Sequence, residues 1–130
     1  MQKRRKLITE AYAAFNRRDI DSVLALMAPD VNWPNGMEGG RLVGHDPVRA
    51  YWIRQWGILN PRVDPVSIEE DATGRVIVQV HQVVHDLSGN LLVDQFVQHI
   101  YSFEGDRIAR MDIREAPETN RAQDSSNANR

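Results

Sequence analysis

Residues 94–113 constrain the fold more than any other stretch. They read Asp94-Gln95-Phe96-Val97-Gln98-His99-Ile100-Tyr101-Ser102-Phe103, then Glu104-Gly105-Asp106, then Arg107-Ile108-Ala109-Arg110-Met111-Asp112-Ile113. Apolar and polar residues alternate on both sides of a turn centred on glycine. That alternation sends successive side chains to opposite faces of a sheet, so the stretch predicts two strands of a hairpin. One strand carries a histidine, His99, among apolar and aromatic neighbours. An apolar sheet face has to be covered, and the rest of the chain must supply the cover.

The N-terminal half supplies it with helices. Leu7, Ile8, Ala11, Tyr12, Ala14 and Phe15 form an apolar stripe that predicts a helix ending near Arg17. Asp19 or Asp21 caps a second short helix, with Ile20, Val23, Leu24, Leu26 and Met27 inward and Pro29 as its stop. Val31-Asn32-Trp33 reads as a short strand, and Asn35-Gly36 with Gly39-Gly40 as a loop. Asp46-Pro47 opens a third helix carrying Val48, Tyr51, Trp52, Gln55 and Trp56 to about Asn60-Pro61. From Arg62 on, strands take over at 63–70, 75–86, 91–103 and 107–115, turning at Asp71-Ala72-Thr73-Gly74 and Ser88-Gly89-Asn90. Three helices followed by four antiparallel strands predict an α+β domain over residues 1–115, with helices on one face of a curved sheet. Residues 116–130, dominated by Pro, Glu, Asn, Ser and Gln, read as a polar tail.

Composition narrows the function classes. The chain has 130 residues, 42% of them hydrophobic, a formal net charge of -2 and no cysteine. That suits one hydrophobic core and makes no electrostatic case for nucleic acid or an anionic membrane. The run Lys3-Arg4-Arg5-Lys6 reads as the solvated first turn of a helix. Without cysteine there are no disulfides, zinc–thiolate sites or thiol catalysis. No apolar run is long enough to span a bilayer and the N-terminus lacks a signal-peptide core, so a cytoplasmic location is the default expectation. Neither a cofactor nor a metal is expected. His81 and His85 are separated by roughly 13 Å along a strand, too far to share one ion.

Pairing the two long strands through a two-residue Gly89-Asn90 turn sets Val80 opposite His99 and Val84 opposite Gln95. One face then carries Val76, Val78, Val80, Gln82 and Val84 with Gln95, Val97, His99, Tyr101 and Phe103. The other carries Ile77, Gln79, His81, Val83 and His85 with Asp94, Phe96, Gln98 and Ile100. The first face packs under the helices. The second is mixed apolar and amide-rich, which suits a homodimer interface through Gln79, His81, Val83, Phe96 and Gln98. His85 is expected to pair with Asp94 there.

His99 is the candidate acid or base, because imidazole titrates in the physiological range. Gln82 and Gln95 share its face and either orient a ligand carbonyl or satisfy one another. Trp33, Tyr51, Trp56, Tyr101 and Phe103 line a pocket or fill the core, and Met111 and Ile113 point inward from the last strand. Tyr12 reads as a packing residue of the first helix.

Several stretches together resemble a known superfamily. They are Ala11-Tyr12-Ala13-Ala14-Phe15-Asn16-Arg17-Arg18-Asp19, Leu26-Met27-Ala28-Pro29-Asp30-Val31-Asn32-Trp33, Gly44-His45-Asp46-Pro47-Val48-Arg49-Ala50-Tyr51-Trp52, and the hairpin around His99-Ile100-Tyr101-Ser102-Phe103. Their order and spacing resemble nuclear-transport-factor-2-like domains, in the SnoaL-like branch that includes ketosteroid isomerase, over roughly residues 5–115. The resemblance implies a cone-shaped, cystatin-like α+β barrel with a pocket between helices and sheet, usually in a homodimer. It implies no single activity, since the superfamily holds isomerases, cyclases, dehydratases, epoxide hydrolases and non-catalytic binders.

In ketosteroid isomerase a helix tyrosine and a protonated sheet aspartic acid donate to an enolate while a second aspartate moves the proton. The resemblance puts those positions at Ala11 (beside Tyr12), at His99 and near Asn35. Asparagine is no base near neutral pH, so that mechanism does not transfer. Neither an arginine-bridged aspartate pair nor an inward strand aspartate is present for the hydrolase or cyclase patterns. The expectation is a small hydrophobic ligand, with isomerase, cyclase or dehydratase chemistry on a carbonyl compound and His99 exchanging the proton. The alternative is a non-catalytic ligand-binding or dimerisation module.

Overall fold

The computed structural model describes residues 2–115, and the tail read at 116–130 lies outside the described residues. Helix α1, Gln2–Asn16, buries Ile8, Ala11, Tyr12 and Ala14, the stripe its spacing predicts. It ends at Arg18, a left-handed residue with φ 67°, where Arg18 N–H donates to Phe15 O and Asp19 N–H to Ala14 O. Glycine usually fills such a helix end. Here the Arg18 guanidinium compensates by donating to Asn60 Oδ1 at 2.6 Å and Pro61 O at 2.7 Å. Asp19 then caps α2, Ile20–Leu24, by accepting from Ser22 N–H.

The second helix is shorter than its apolar run. Met27 already begins strand β1, Met27–Pro34, so Pro29 lies in a strand instead of ending a helix. Strand β2, Arg41–Val43, pairs with β1 and has too few residues to show alternation in the sequence. Helix α3, His45–Trp56, is capped by Gly44 at φ 96° instead of Asp46, and it stops at Gly57, short of Asn60-Pro61. Strands β3 (Leu59–Glu70), β4 (Val76–Asp86), β5 (Leu91–Glu104) and β6 (Arg107–Glu115) follow.

The α+β class is as expected, but the sheet differs in detail. Its six strands run β2-β1-β6-β5-β4-β3, curved and open instead of closed into a barrel. It is also mixed, because β1 runs parallel to β6 while the other pairs are antiparallel. The chain leaving α2 joins the edge of the hairpin directly: Ile108 N–H donates to Leu26 O at 2.9 Å.

The β4–β5 turn is longer than the two-residue turn expected. Asp86 Oδ1 accepts from the N–H groups of Ser88 and Asn90, and Gly89 takes φ 93°. The longer turn sets His99 opposite Val78 and Gln95 opposite Gln82, a shift of two residues. An even shift preserves the alternation, so both faces keep their predicted members. Val76, Val78 and Val80 are fully buried on the inner face, beside His99 and Tyr101.

Two other expectations are corrected. The basic run at the N-terminus docks rather than being wholly solvated. Arg4 donates to Gly74 O at 2.6 Å with its guanidinium over the Phe103 ring, and Arg5 donates to Ile68 O at 2.8 Å. On the outer face Asp94 pairs with His81 at 2.7 Å, not His85, because the register sets His85 opposite Leu91. Among the described residues no helix is long and apolar enough to cross a membrane.

Candidate functional site

Between α1, α3 and the inner sheet face lies a cavity of about 130 Å³. Its aliphatic and aromatic wall comes from Phe15 on α1, Met27 and Trp33 on β1, Trp52 on α3, and Ile108 and Met111 on β6. No lysine, arginine, aspartate or glutamate lines it among the described residues. The polar groups are instead Tyr12, His99 and Tyr101, then Tyr51 and Gln55, then Gln82.

The first three form a chain of hydrogen bonds. Tyr101 Oη donates to Tyr12 Oη at 2.8 Å, and Tyr12 Oη lies 2.7 Å from His99 Nδ1. His99 and Tyr101 occupy one face of β5 because they are two residues apart on a strand, while Tyr12 descends from α1. The rings interlock as well: Tyr12 stacks on His99 at 5.9 Å and meets Tyr101 edge-on at 6.2 Å. All three residues are buried.

Burial sets their protonation. No carboxylate faces His99, and desolvation pushes its pKa down to about 4, so the imidazole is neutral near pH 7. Tyr12 and Tyr101 are pushed well above the ordinary phenol range, first of all by burial, so both keep their protons. With Tyr12 donating to Nδ1, the His99 proton sits on Nε2, which has no hydrogen-bond partner among the described residues. The site therefore offers an N–H donor backed by two hydroxyls, and it carries no formal charge.

The structure brings His99, Tyr101, Tyr51, Trp33, Gln82 and Met111 together around this cavity. It places three other candidates elsewhere. Trp56 stacks on Trp52 at 6.0 Å and carries the Arg18 guanidinium 4.9 Å from its ring centre. Phe103 lies beneath Arg4. Gln95 is exposed and donates to Gln82 Oε1 at 2.9 Å, the mutual pairing that was the alternative to ligand contact. Tyr12 and Gln55 are lining residues that sequence reasoning did not single out. The available signal for Tyr12 was a hydroxyl within an apolar helical stripe, since a buried phenol requires a partner.

Comparison with known proteins places this geometry in a family. No curated protein matches the chain. A structure from Burkholderia pseudomallei, described as an NTF2-like protein of unknown function, is similar at 30% identity and TM-score 0.77, covering 89% of this chain and 92% of that one. TerC, co-crystallised with polyporic acid, is similar at 27% identity and TM-score 0.76, covering 88% and 92%. A putative polyketide cyclase from Xanthomonas campestris shares the fold at 24% identity and TM-score 0.72, covering 86% and 89%. The sequence pattern of the SnoaL-like domain matches residues 8–111, most of the described chain, and the protein belongs to the SnoaL-like family.

Proposed function

We propose that the protein binds a small uncharged carbonyl compound in this cavity and catalyses a proton shift on it, an isomerase, cyclase or dehydratase type of chemistry. The observation that carries this reading is the buried Tyr101–Tyr12–His99 chain, whose members all line the cavity. The co-crystallisation of TerC with polyporic acid supports a small organic ligand for this fold. The size limits the ligand: about 130 Å³ is close to the space of one six-membered ring.

The chemistry follows from neutrality. A donor aimed at a carbonyl oxygen stabilises the charge that develops there on enolisation, and it acts strongly in a water-poor apolar site. His99 Nε2–H is that donor. As its proton passes to the substrate oxygen, Nδ1 takes the Tyr12 proton and Tyr12 takes the Tyr101 proton. Tyr101 Oη then takes the proton leaving the substrate. The protons balance, and no buried group of the protein becomes charged. A carboxylate base plays no part in this scheme.

Deuterium uptake at the carbons beside the carbonyl of cyclohexanone, followed in D₂O by NMR, tests the reading. The wild-type protein is expected to accelerate uptake, while His99→Gln, which keeps an N–H donor but cannot relay a proton, loses the acceleration. Saturable binding without exchange favours the non-catalytic binder instead.

The proposed assembly is a homodimer through the outer sheet face. Phe96 is 52% exposed there, stacked against His81 at 4.9 Å, with Gln79 and Val83 half-buried alongside. Gln98 contributes less than expected, because it is already buried and its Oε1 accepts from Arg114.

A further inference from the structure

The hydrogen-bond chain ending at His99 leaves a second polar group of the cavity unused. Tyr51 and Gln55 lie one turn apart on α3, and both line the cavity. Tyr51 Oη accepts the Gly36 N–H at 3.2 Å and stands 3.4 Å from Gln55 Nε2. In that arrangement the Tyr51 O–H has no acceptor among the described residues. Gln55 Oε1 is buried and has no hydrogen-bond partner. Gln55 Oε1 is thus an unmatched buried acceptor, which native proteins rarely tolerate without a purpose.

One ligand group matches the pair. A hydroxyl accepts from Tyr51 O–H and donates to Gln55 Oε1 at once. The terminal torsion of glutamine is soft, so the amide can turn toward a group in the cavity. With no cation on the cavity wall, an ionised oxygen has no counter-charge, and the uncharged hydroxyl is preferred. The indole of Trp33 lines the same cavity, 5.7 Å from the Trp52 ring and 6.4 Å from the Tyr101 ring.

We propose that Tyr51 and Gln55 form a hydroxyl-binding subsite on the α3 wall, so that the preferred ligand is an uncharged single-ring compound with a hydroxyl as well as its carbonyl. This rests on the reading of the cavity as a carbonyl site with His99 as donor, and it adds the group that selects among such compounds.

The test compares cyclohexanone with 4-hydroxycyclohexanone by NMR titration of the full chain. The wild-type protein is expected to bind the hydroxyketone about tenfold more tightly, the scale of one or two neutral hydrogen bonds. Gln55→Leu is expected to abolish that preference, so that the two ketones bind with equal affinity. It is also expected to raise the melting temperature of the unliganded protein, since it removes an unmatched buried amide. A structural glutamine predicts the opposite, a lower melting temperature. Should Gln55→Leu fail to fold, Tyr51→Phe serves for the same comparison. Equal wild-type affinity for the two ketones overturns the hydroxyl subsite and leaves the carbonyl site standing. Failure of both ketones to saturate the protein overturns the carbonyl site as well.

Discussion

His99 has a charge state decided by burial, and this has a measurable consequence for stability. Its folded pKa is pushed to about 4 from an ordinary 6.5. Above pH 6.5 the imidazole is neutral in both the folded and the unfolded chain, and the stability it allows is fully present. Between pH 6.5 and 4 the unfolded chain takes up a proton that the folded one refuses, so stability falls as the pH drops. The loss is about 3 kcal/mol when complete, and equilibrium denaturation at pH 7 and pH 4 is expected to register it, with His99→Gln removing that part. Tyr12→Phe acts differently. It strands both His99 Nδ1 and the Tyr101 hydroxyl in the core, which costs about 1–3 kcal/mol in urea unfolding at pH 7. His99 could be picked out in the sequence because strand alternation puts it on an apolar face. Its partner could not, because the contact joins positions separated by 87 residues, and no local pattern encodes such a distance.

Secondary-structure elements succeeded or failed as predictions according to how local their causes are. The long strands and α1 follow from periodicities that extend over many residues. The ends of α2 and α3 were overestimated, because an apolar residue after a helix serves equally well in the next strand, as Met27 does. The joints between elements rest on single polar side chains. Asn16, the last residue of α1, donates to Val63 O at 2.7 Å and accepts from Val63 N–H at 2.9 Å, pairing with β3 as a neighbouring strand would. Asn16→Ala is expected to lower stability by about 2 kcal/mol, two part-buried backbone bonds being lost together, as chemical denaturation would measure. Arg18, two residues on, takes a glycine-like conformation for the sake of its contacts with Asn60 and Pro61. A sequence rule that looks for glycine misses this helix end, because the compensation comes from β3. Aspartate sets both long turns. Asp71 and Asp86 each accept from backbone N–H groups two and four residues ahead, a pattern that favours a longer turn over the two-residue one.

The molecule presents two sheet faces with different fates. The inner face meets α1 and α3 and borders the cavity. The outer one leaves Phe96 and Leu92 each 52% exposed. Burying them against a second copy gains roughly 1.5–3 kcal/mol for each large side chain that is fully covered. Phe96→Glu is therefore expected to convert the proposed dimer into a monomer, with the cavity and its ligand affinity intact, as light scattering after size-exclusion chromatography would report. A wild-type protein that elutes as a monomer at high concentration removes the interface. The sequence by itself determined the fold class and the division of β4 and β5 into faces, since period and parity are properties of neighbouring residues. It also determined that His99 faces inward, because that parity survives an even shift in register. Only the tertiary structure decided that β1 joins β6 in parallel, that Trp56, Phe103 and Gln95 stand away from the cavity, and that Tyr12 completes the chain to His99. Those facts depend on which distant surfaces meet, and side-chain hydrogen bonds between α1 and β5 exist only after the helix has packed onto the sheet.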